Sequence, residues 1–154
     1  MTDGRQVPDL DPAIRRARPA EASELSALAL RSKAYWGYDA ERVSAWAADL
    51  RYEGKDVHVV DADGLVAAYA TLVLEGEKAE LDELWVEPAW IGKGVGARLF
   101  QFVSNRAAAL GAKRLEWEAD PHAVGFYERM GGSYVRDGEP GEWGRILPVM
   151  AIDL

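Results

Sequence analysis

The sequence predicts a single α/β domain in which helices and strands follow one another in the order βααβββαβαββ. Two observations carry this prediction. A strand, a glycine-rich turn and the start of a helix succeed one another over residues 84–100, and an Asp-Gly turn near residue 63 joins two apolar runs as a hairpin. The 154 residues, 49% of them hydrophobic, suffice for one stable core. We expect a flexible leader over residues 1–12 and one domain over residues 13–154.

The first elements are predicted from spacing and capping residues. Residues 14–18 suit a short strand. Pro19 is typical of a helix start, and the helical stripe of apolar residues after it predicts a first helix that runs to about Gly37. Asp39 suits the N-cap of a second helix that extends toward Gly54.

The later elements follow from alternation in strands and a 3.6-residue period in helices. They are a hairpin over residues 57–60 and 65–74, a strand over 79–86, a long helix over 94–110, a strand over 114–118, a short helix around Tyr127, and strands over 133–136 and 145–152. This amounts to a sheet of six to seven strands flanked by about four helices.

Composition excludes several classes of protein. The chain contains no cysteine, so disulfides, thiolate metal sites and a cysteine nucleophile are excluded. No apolar run approaches the about 20 residues that a membrane span needs, and we expect a soluble, cytoplasmic protein without membrane partners. The net charge of −8 argues against nucleic acid as a partner. The same acidity favours a cationic small substrate, or serves solubility alone.

A glycine-rich turn at Ile91-Gly92-Lys93-Gly94-Val95-Gly96 separates the predicted strand from the long helix. Glycines let the backbone approach an anion, and the first N–H groups of a helix point at it, so the turn suits a phosphate-bearing ligand. A purely steric turn is the alternative. A P-loop is excluded because Gly94, rather than Ser or Thr, follows Lys93, and the glycine spacing does not fit a dinucleotide fingerprint.

A second motif lies about thirty residues downstream, in the segment Asp120-Pro121-His122-Ala123-Val124-Gly125-Phe126-Tyr127-Glu128-Arg129-Met130-Gly131-Gly132. The two segments together resemble the GNAT-type N-acetyltransferases, whose cofactor loop runs Arg/Gln-x-x-Gly-x-Gly/Ala. The later family pattern matches at Ala123, Phe126, Tyr127 and Gly131. Two positions depart from the family: Ile91 replaces Arg or Gln, and Asp120 replaces Asn.

The resemblance implies a mixed, mostly antiparallel sheet that splays after Val86, and acetyl-CoA as co-substrate without a metal. The pantetheine arm is expected along the strand before the glycine loop, where a backbone N–H near Leu84 faces the acetyl carbonyl. The residues implied to bind the cofactor are Leu84, Trp85, Val86, Ile91, Gly92, Lys93, Gly94, Val95, Gly96, Asp120, Ala123 and Phe126.

Acid–base roles are assigned within the same resemblance. Tyr127 is the candidate general acid, since a phenol is protonated at neutral pH; the alternative is a core aromatic residue. Glu80 and Asp82 are the candidate bases, and strand alternation places both on the face of Leu84, with Glu83 on the other face. Acidic residues that serve only solubility are the alternative, and many family enzymes need no dedicated base.

The sequence contains two histidines, and each has a candidate role. His122 is a candidate proton relay at the start of the Tyr127 helix, or a surface residue. His58 lies in an apolar strand, where a structural role is expected. Their separation in sequence gives no metal-binding spacing.

The segment between the first two helices is the candidate acceptor wall. Tyr35, Trp36 and Tyr38 surround a glycine there, and such rings can enclose an apolar or cationic acceptor. Simple packing of the helix corner against the sheet is an equal alternative. Trp143 and Arg145 are candidates for the opposite side of the pocket.

The leading hypothesis is therefore an N-acetyltransferase that acts on a primary amine of a small or amino-acid-like molecule, by direct transfer in a ternary complex. A non-catalytic acyl-CoA-binding module is the second hypothesis, motivated by Ile91 and the open question of the base. Acetylation of peptides is the third. The final strands offer an edge through which a homodimer could form.

Overall fold

The computed structural model describes residues 12–154. Its elements are β1 (Ala13–Arg16), α1 (Ala22–Tyr35), α2 (Ala40–Ala48), β2 (Asp56–Ala62), β3 (Leu65–Glu75), β4 (Lys78–Val86), α3 (Val95–Ala109), β5 (Arg114–Glu118), α4 (Val124–Arg129), β6 (Ser133–Asp137) and β7 (Pro148–Asp153). The predicted order βααβββαβαββ is confirmed. The predicted leader falls, apart from Pro12, outside the described residues.

One seven-stranded sheet forms the centre of the molecule, in the order β1-β2-β3-β4-β5-β7-β6. All neighbouring strands are antiparallel except β4 and β5. These two parallel strands pair only over Lys78–Glu80 and Arg114–Glu116. The splay between them therefore begins after Glu80, earlier than the predicted position after Val86.

Helices cover both faces of the sheet. The α3 face buries a large core that includes Leu72, Leu99, Phe100 and Trp117. The α1/α2 face buries a smaller cluster that includes Leu25, Leu28, Val59 and Tyr69. None of the helices in residues 12–154 is long and apolar enough to cross a membrane.

A bulge in β4 changes which side chains share a face. Thr71 of β3 pairs with Glu83, and Leu72 pairs with Leu81, so Asp82 is an extra residue. Leu81 and Leu84 both pack on the α3 face. Glu80 and Glu83 consequently lie together on the α1/α2 face, and the prediction that Glu80 shares the face of Leu84 is wrong, because strict alternation does not continue through a bulge.

Several predicted boundaries shift for identifiable reasons. The side chain of Asp39 caps α2 by accepting the Arg42 N–H at 3.0 Å, as expected, but the helix ends at Ala48 rather than near Gly54. The last strand begins at Pro148 rather than at residue 145. A short 3₁₀ turn over Glu142–Gly144, with Trp143 at φ 59°, occupies the preceding segment.

Candidate active site

A cleft of about 590 Å³ opens where β4 and β5 separate. The glycine loop and the first turn of α3 line one end, α4 lines one side, and the corner between α1 and α2 lines the other end. Most residues predicted to bind a cofactor line this cleft: Leu84, Trp85, Val86, Ile91, Gly92, Gly94, Gly96, Asp120, Ala123 and Phe126. Lys93 and Val95 do not; the first side chain is exposed and the second packs in the core.

The backbone of the glycine loop is shaped by two left-handed glycines. Gly92 has φ 82° and Gly94 has φ 83°, a region that side chains rarely adopt. Gly94 immediately precedes α3, and the N–H groups of Gly94, Val95, Gly96 and Ala97 have no acceptor within residues 12–154. The N-terminus of this 15-residue helix therefore presents free amides and the positive end of its dipole to the cleft.

Gly96 allows close approach between the first turn of α3 and its neighbours. A Cβ atom at this position would lie 3.4 Å from Val86 Cγ2 and 3.7 Å from the ring of Phe126. A methyl group at this position would therefore meet Val86 and Phe126 at ordinary contact distances.

β4 offers an unpaired backbone edge to the cleft. Its ladder with β5 ends at Glu80, so the β5-side backbone groups over residues 81–86 have no strand partner. An extended chain of amides can hydrogen-bond along such an edge as an added strand would.

Tyr127 lies on α4 between the core and the cleft. It is 8% exposed, with its ring 4.9 Å from that of Trp117 and 5.8 Å from that of Phe100. Tyr127 is among the residues that line the cleft, and its side chain has no hydrogen bond within residues 12–154. Burial, with a smaller contribution from the charge of Asp120, raises the pKa of Tyr127 above its ordinary value, so the phenol is protonated at neutral pH. The residue is both a core aromatic and a cleft residue.

Glu83 was not among the residues predicted to act as a base. It is 8% exposed, lines the cleft, and accepts a hydrogen bond from the Tyr69 hydroxyl at 2.5 Å. Burial raises the pKa of Glu83 to about 7; the bond from Tyr69 opposes this shift, and the charge of Asp82 adds to it. A carboxyl group in this state exchanges a proton near neutral pH.

The two predicted bases are placed differently. Asp82 lines the cleft at the bulge, but it is exposed and its carboxylate lies 2.6 Å from Lys55 Nζ. Glu80 is half-buried and lies outside the residues that line the cleft, although burial also raises its pKa. Alternation correctly places Glu83 on the face opposite Leu84, but no sequence signal shows that the Tyr69 hydroxyl meets it there.

The corner between α1 and α2 meets the segment before α4. The ring of Trp36 stacks on that of His122 with centroids 4.3 Å apart, and both residues line the cleft. Tyr38 donates to Asp120 at 3.0 Å, and Arg145 Nη1 lies 3.1 Å from the same carboxylate oxygen. Tyr38 and Arg145 therefore hold Asp120 in place rather than line the cleft.

Of the remaining histidine and aromatic residues singled out from the sequence, His122 lines the cleft, whereas Tyr35 and His58 do not. Burial lowers the pKa of His122, so its imidazole is neutral at pH 7. Tyr35 is exposed and lies outside the cleft lining. His58 is buried in β2 with its ring 5.0 Å from that of Phe102, and takes no part in the cleft.

Lys33 occupies an aromatic cage behind the end of the cleft formed by the corner between α1 and α2. Its side chain is 2% exposed, and its ammonium lies 2.5 Å from Glu142. The ring centroids of four aromatic residues surround the ammonium at 4.3–5.5 Å; they belong to Tyr38, Trp46, Trp85 and Trp143. Trp143 thus contributes to the cage and not to the cleft, and the burial of a lysine had no signal in the sequence.

The fold and the cleft define a family. Residues 23–132 match the family model described as "Acetyltransferase (GNAT) family", and the chain belongs to that family. The family's reaction is acetyl transfer from acetyl-CoA, which agrees with a cleft that joins free helix amides to an open strand edge. None of the curated proteins compared by sequence matches the chain.

Solved structures share the whole fold. A GCN5-related N-acetyltransferase from Rhodopseudomonas palustris is 25% identical, with a TM-score of 0.79 over 93% of this chain and 96% of the other. The PaiA N-acetyltransferase from Thermoplasma acidophilum, in complex with coenzyme A, is 16% identical, with a TM-score of 0.76 over 92% and 98%. The ribosomal-protein-S18-alanine N-acetyltransferase from Escherichia coli is 19% identical, with a TM-score of 0.72 over 92% of both chains.

Proposed function

We propose that this acetyltransferase acts on a primary amine of a small cationic molecule, with both substrates bound at once. The charge of the cleft is the observation that carries this proposal. Four carboxylates line it, against one arginine, and they belong to Asp82, Glu83, Glu118 and Asp120. Asp82 and Asp120 are paired with cations, whereas Glu83 and Glu118 have no ion-pair partner within residues 12–154. Their uncompensated charge attracts an ammonium group.

Residues at the other end fit acetyl-CoA, which supplies the acetyl group as a thioester. The free amides of Gly94, Val95 and Gly96 suit its phosphates, and the open edge of β4 suits the amides of its pantetheine arm. Lys93 adds a positive charge near the same loop, and Ile91 offers an apolar contact where the family has a polar one.

Glu83 and Tyr127 divide the proton transfers between them. Glu83 accepts one proton from the bound ammonium, which leaves a neutral amine free to attack. As the C–N bond forms and the C–S bond breaks, Tyr127 donates its phenolic proton to the departing sulfur and regains one from the acetylated nitrogen. One proton per turnover remains on Glu83 and must leave. This assigns the base role to Glu83 in place of Glu80 and Asp82.

A panel of four amines tests the proposal. Each amine is incubated with purified protein and acetyl-CoA, and the release of the coenzyme A thiol and the mass of the acetylated product are measured. The panel comprises 1,4-diaminobutane, butylamine, lysine and an alanine tetrapeptide. We expect 1,4-diaminobutane to have a kcat/KM several-fold above that of butylamine, because its second ammonium meets the remaining carboxylates. Each exposed ion pair stabilises the complex by about 0.2–1 kcal/mol.

The other outcomes identify the rival functions. Preference for the alanine tetrapeptide would assign the cleft to peptide acceptors. Calorimetric binding of acetyl-CoA without acetylation of any amine would favour an acyl-CoA-binding module, which the apolar Ile91 motivates. Both results would overturn the small-amine proposal.

A homodimer is a further proposal about this chain. β6 is an edge strand of the sheet, and Tyr134 on it is 59% exposed. Light scattering after size-exclusion chromatography gives the mass in solution, and a monomer at 16.9 kDa would contradict the proposal.

A further inference from the structure

A chain of hydroxyl groups runs from Glu83 to a second cavity. The Tyr69 hydroxyl lies 2.5 Å from Glu83 Oε1 and 2.9 Å from the Tyr52 hydroxyl. The Tyr52 hydroxyl in turn lies 3.3 Å from Ser26 Oγ. These hydroxyl groups therefore form a continuous series of hydrogen bonds across the cluster on the α1/α2 face.

The far end of the chain is open. The second cavity, of about 900 Å³, lies between the first turns of α1 and the segment after α2, and both Ser26 and Tyr52 line it. Tyr69 is fully buried and does not line either cavity. The two tyrosines thus join two separate solvent-accessible spaces through an otherwise apolar cluster.

We infer that the hydroxyls of Tyr69 and Tyr52 form the path by which a proton accepted by Glu83 leaves toward the second cavity. The inference rests on the proposed function, in which each turnover of an ammonium substrate leaves one proton on Glu83. While both substrates occupy the cleft, they separate this buried carboxyl group from the solvent on the cleft side.

The transfer is balanced at every oxygen. Once Glu83 is protonated, its bond with Tyr69 reverses and the Tyr69 hydroxyl turns to Tyr52. Glu83 then gives its proton to the Tyr69 oxygen as Tyr69 gives its own to Tyr52, and Tyr52 releases one to Ser26 or to water in the second cavity. Each hydroxyl gains one proton and loses one, so no tyrosinate accumulates. Either oxygen of the Tyr52–Tyr69 and Ser26–Tyr52 pairs can be the donor, as this direction requires.

The groups around Glu83 agree with such a path. Burial raises the pKa of both Tyr69 and Tyr52, so each keeps the proton that the chain needs. Lys55, on the loop before β2, pairs with Asp82 rather than with Glu83. Lys33 of α1 pairs with Glu142. The Tyr69 hydroxyl donates to Glu83 at 2.5 Å, and the Trp85 indole and the charge of Lys55 also lower the pKa of Glu83.

Two variants separate the parts of the path. Tyr52→Phe interrupts the chain but keeps the bond between Tyr69 and Glu83, whereas Tyr69→Phe removes that bond. Tyr134→Phe, at an exposed tyrosine of β6, is the matched control. The assay uses acetyl-CoA and the panel amine with the highest kcat/KM.

We expect Tyr52→Phe to lower kcat by about tenfold. Positioned proton transfer as a whole contributes about 10²–10⁴-fold to the rate, and the path accounts for a part of it. Its kcat should rise with the concentration of imidazole buffer, which takes up protons in place of the path, while the control shows no such rise. Tyr69→Phe should move the acid limb of the kcat/KM profile to higher pH, because the lost hydrogen bond stabilised the carboxylate.

A wild-type kcat in Tyr52→Phe, without dependence on buffer, would overturn the path. If Glu83→Gln abolishes turnover in the same assay while Tyr52→Phe is unaffected, only the path fails. If Glu83→Gln turns over as the wild type does, the proposed role of Glu83 fails and the path fails with it.

Discussion

Lys33 Nζ lies 2.5 Å from Glu142 Oε1, and this pair ties α1 to the segment before β7. Arg145 also contacts Glu142, at 2.9 Å, and reaches Asp120 on the wall of the cleft. A buried lysine on the first helix is thus linked, through two side chains, to a cleft residue more than eighty positions away. This connection holds Asp120 beside the end of the cleft formed by the corner between α1 and α2.

Lys33→Met should destabilise the fold by about 1–3 kcal/mol, because Glu142 loses its buried partner and keeps the contact with Arg145. The melting temperature should fall by about 2–4 °C for each kcal/mol. Calorimetry measures both quantities. The double variant Lys33→Met, Glu142→Gln should recover part of the loss; a double variant no more stable than Lys33→Met would contradict the importance of the pair.

Tyr127→Phe should lower kcat by about 10²-fold, the contribution of one positioned acid, and leave the Kd for acetyl-CoA within about twofold. The ring contacts with Trp117 and Phe100 do not involve the hydroxyl, so stability should change little. Steady-state kinetics and calorimetric titration give the two quantities. An unchanged kcat would remove Tyr127 from the mechanism.

Gly94→Ala should weaken acetyl-CoA binding, because a side chain at φ 83° forces the loop to move its free amides. Gly111→Ala is the matched control. Gly111 has φ 99° just beyond the other end of α3, and a Cβ atom meets no neighbour within 4 Å at either site. Both variants should lose about 1–2 kcal/mol of stability. Equal loss of acetyl-CoA affinity in both would contradict a specific role for the glycine loop.

The free energy of unfolding should depend on pH because of Glu83. Its pKa is about 7 in the folded protein and about 4.5 in the unfolded chain, so between these values the folded state binds more protons. The stabilising contribution of this group is therefore lost as the pH rises from 4.5 to 7, at up to about 1.4 kcal/mol for each pH unit. Urea unfolding of the wild type relative to Glu83→Gln across this range measures it. A difference independent of pH would mean that the pKa of Glu83 is the same in the folded and unfolded states.

The sequence predicted the parts of the fold that local chemistry determines. Gly92 and Gly94 stand where a left-handed backbone is needed, and Asp39 caps α2 with its own side chain. These features depend on neighbours within a few positions, so the order of elements and the shape of the glycine loop were predictable.

Features that depend on distant contacts were not predictable. The bulge at Asp82 arises from pairing between β3 and β4, and it places Glu80 on the face opposite Leu84. Lys33 is buried only because rings from four separate segments and Glu142 gather around its ammonium. Periodicity along one strand or one helix contains no signal of either event.

The central claim is that Glu83 accepts the proton of a cationic amine in this cleft. The most direct test is kcat/KM for the preferred panel amine from pH 5.5 to 9, in the wild type, Glu83→Gln and the neighbouring control Glu80→Gln. We expect an acid limb near pH 7 in the wild type and in Glu80→Gln. In Glu83→Gln we expect loss of that limb and a plateau lower by about 10²-fold. An acid limb and plateau in Glu83→Gln equal to those of the wild type would contradict it.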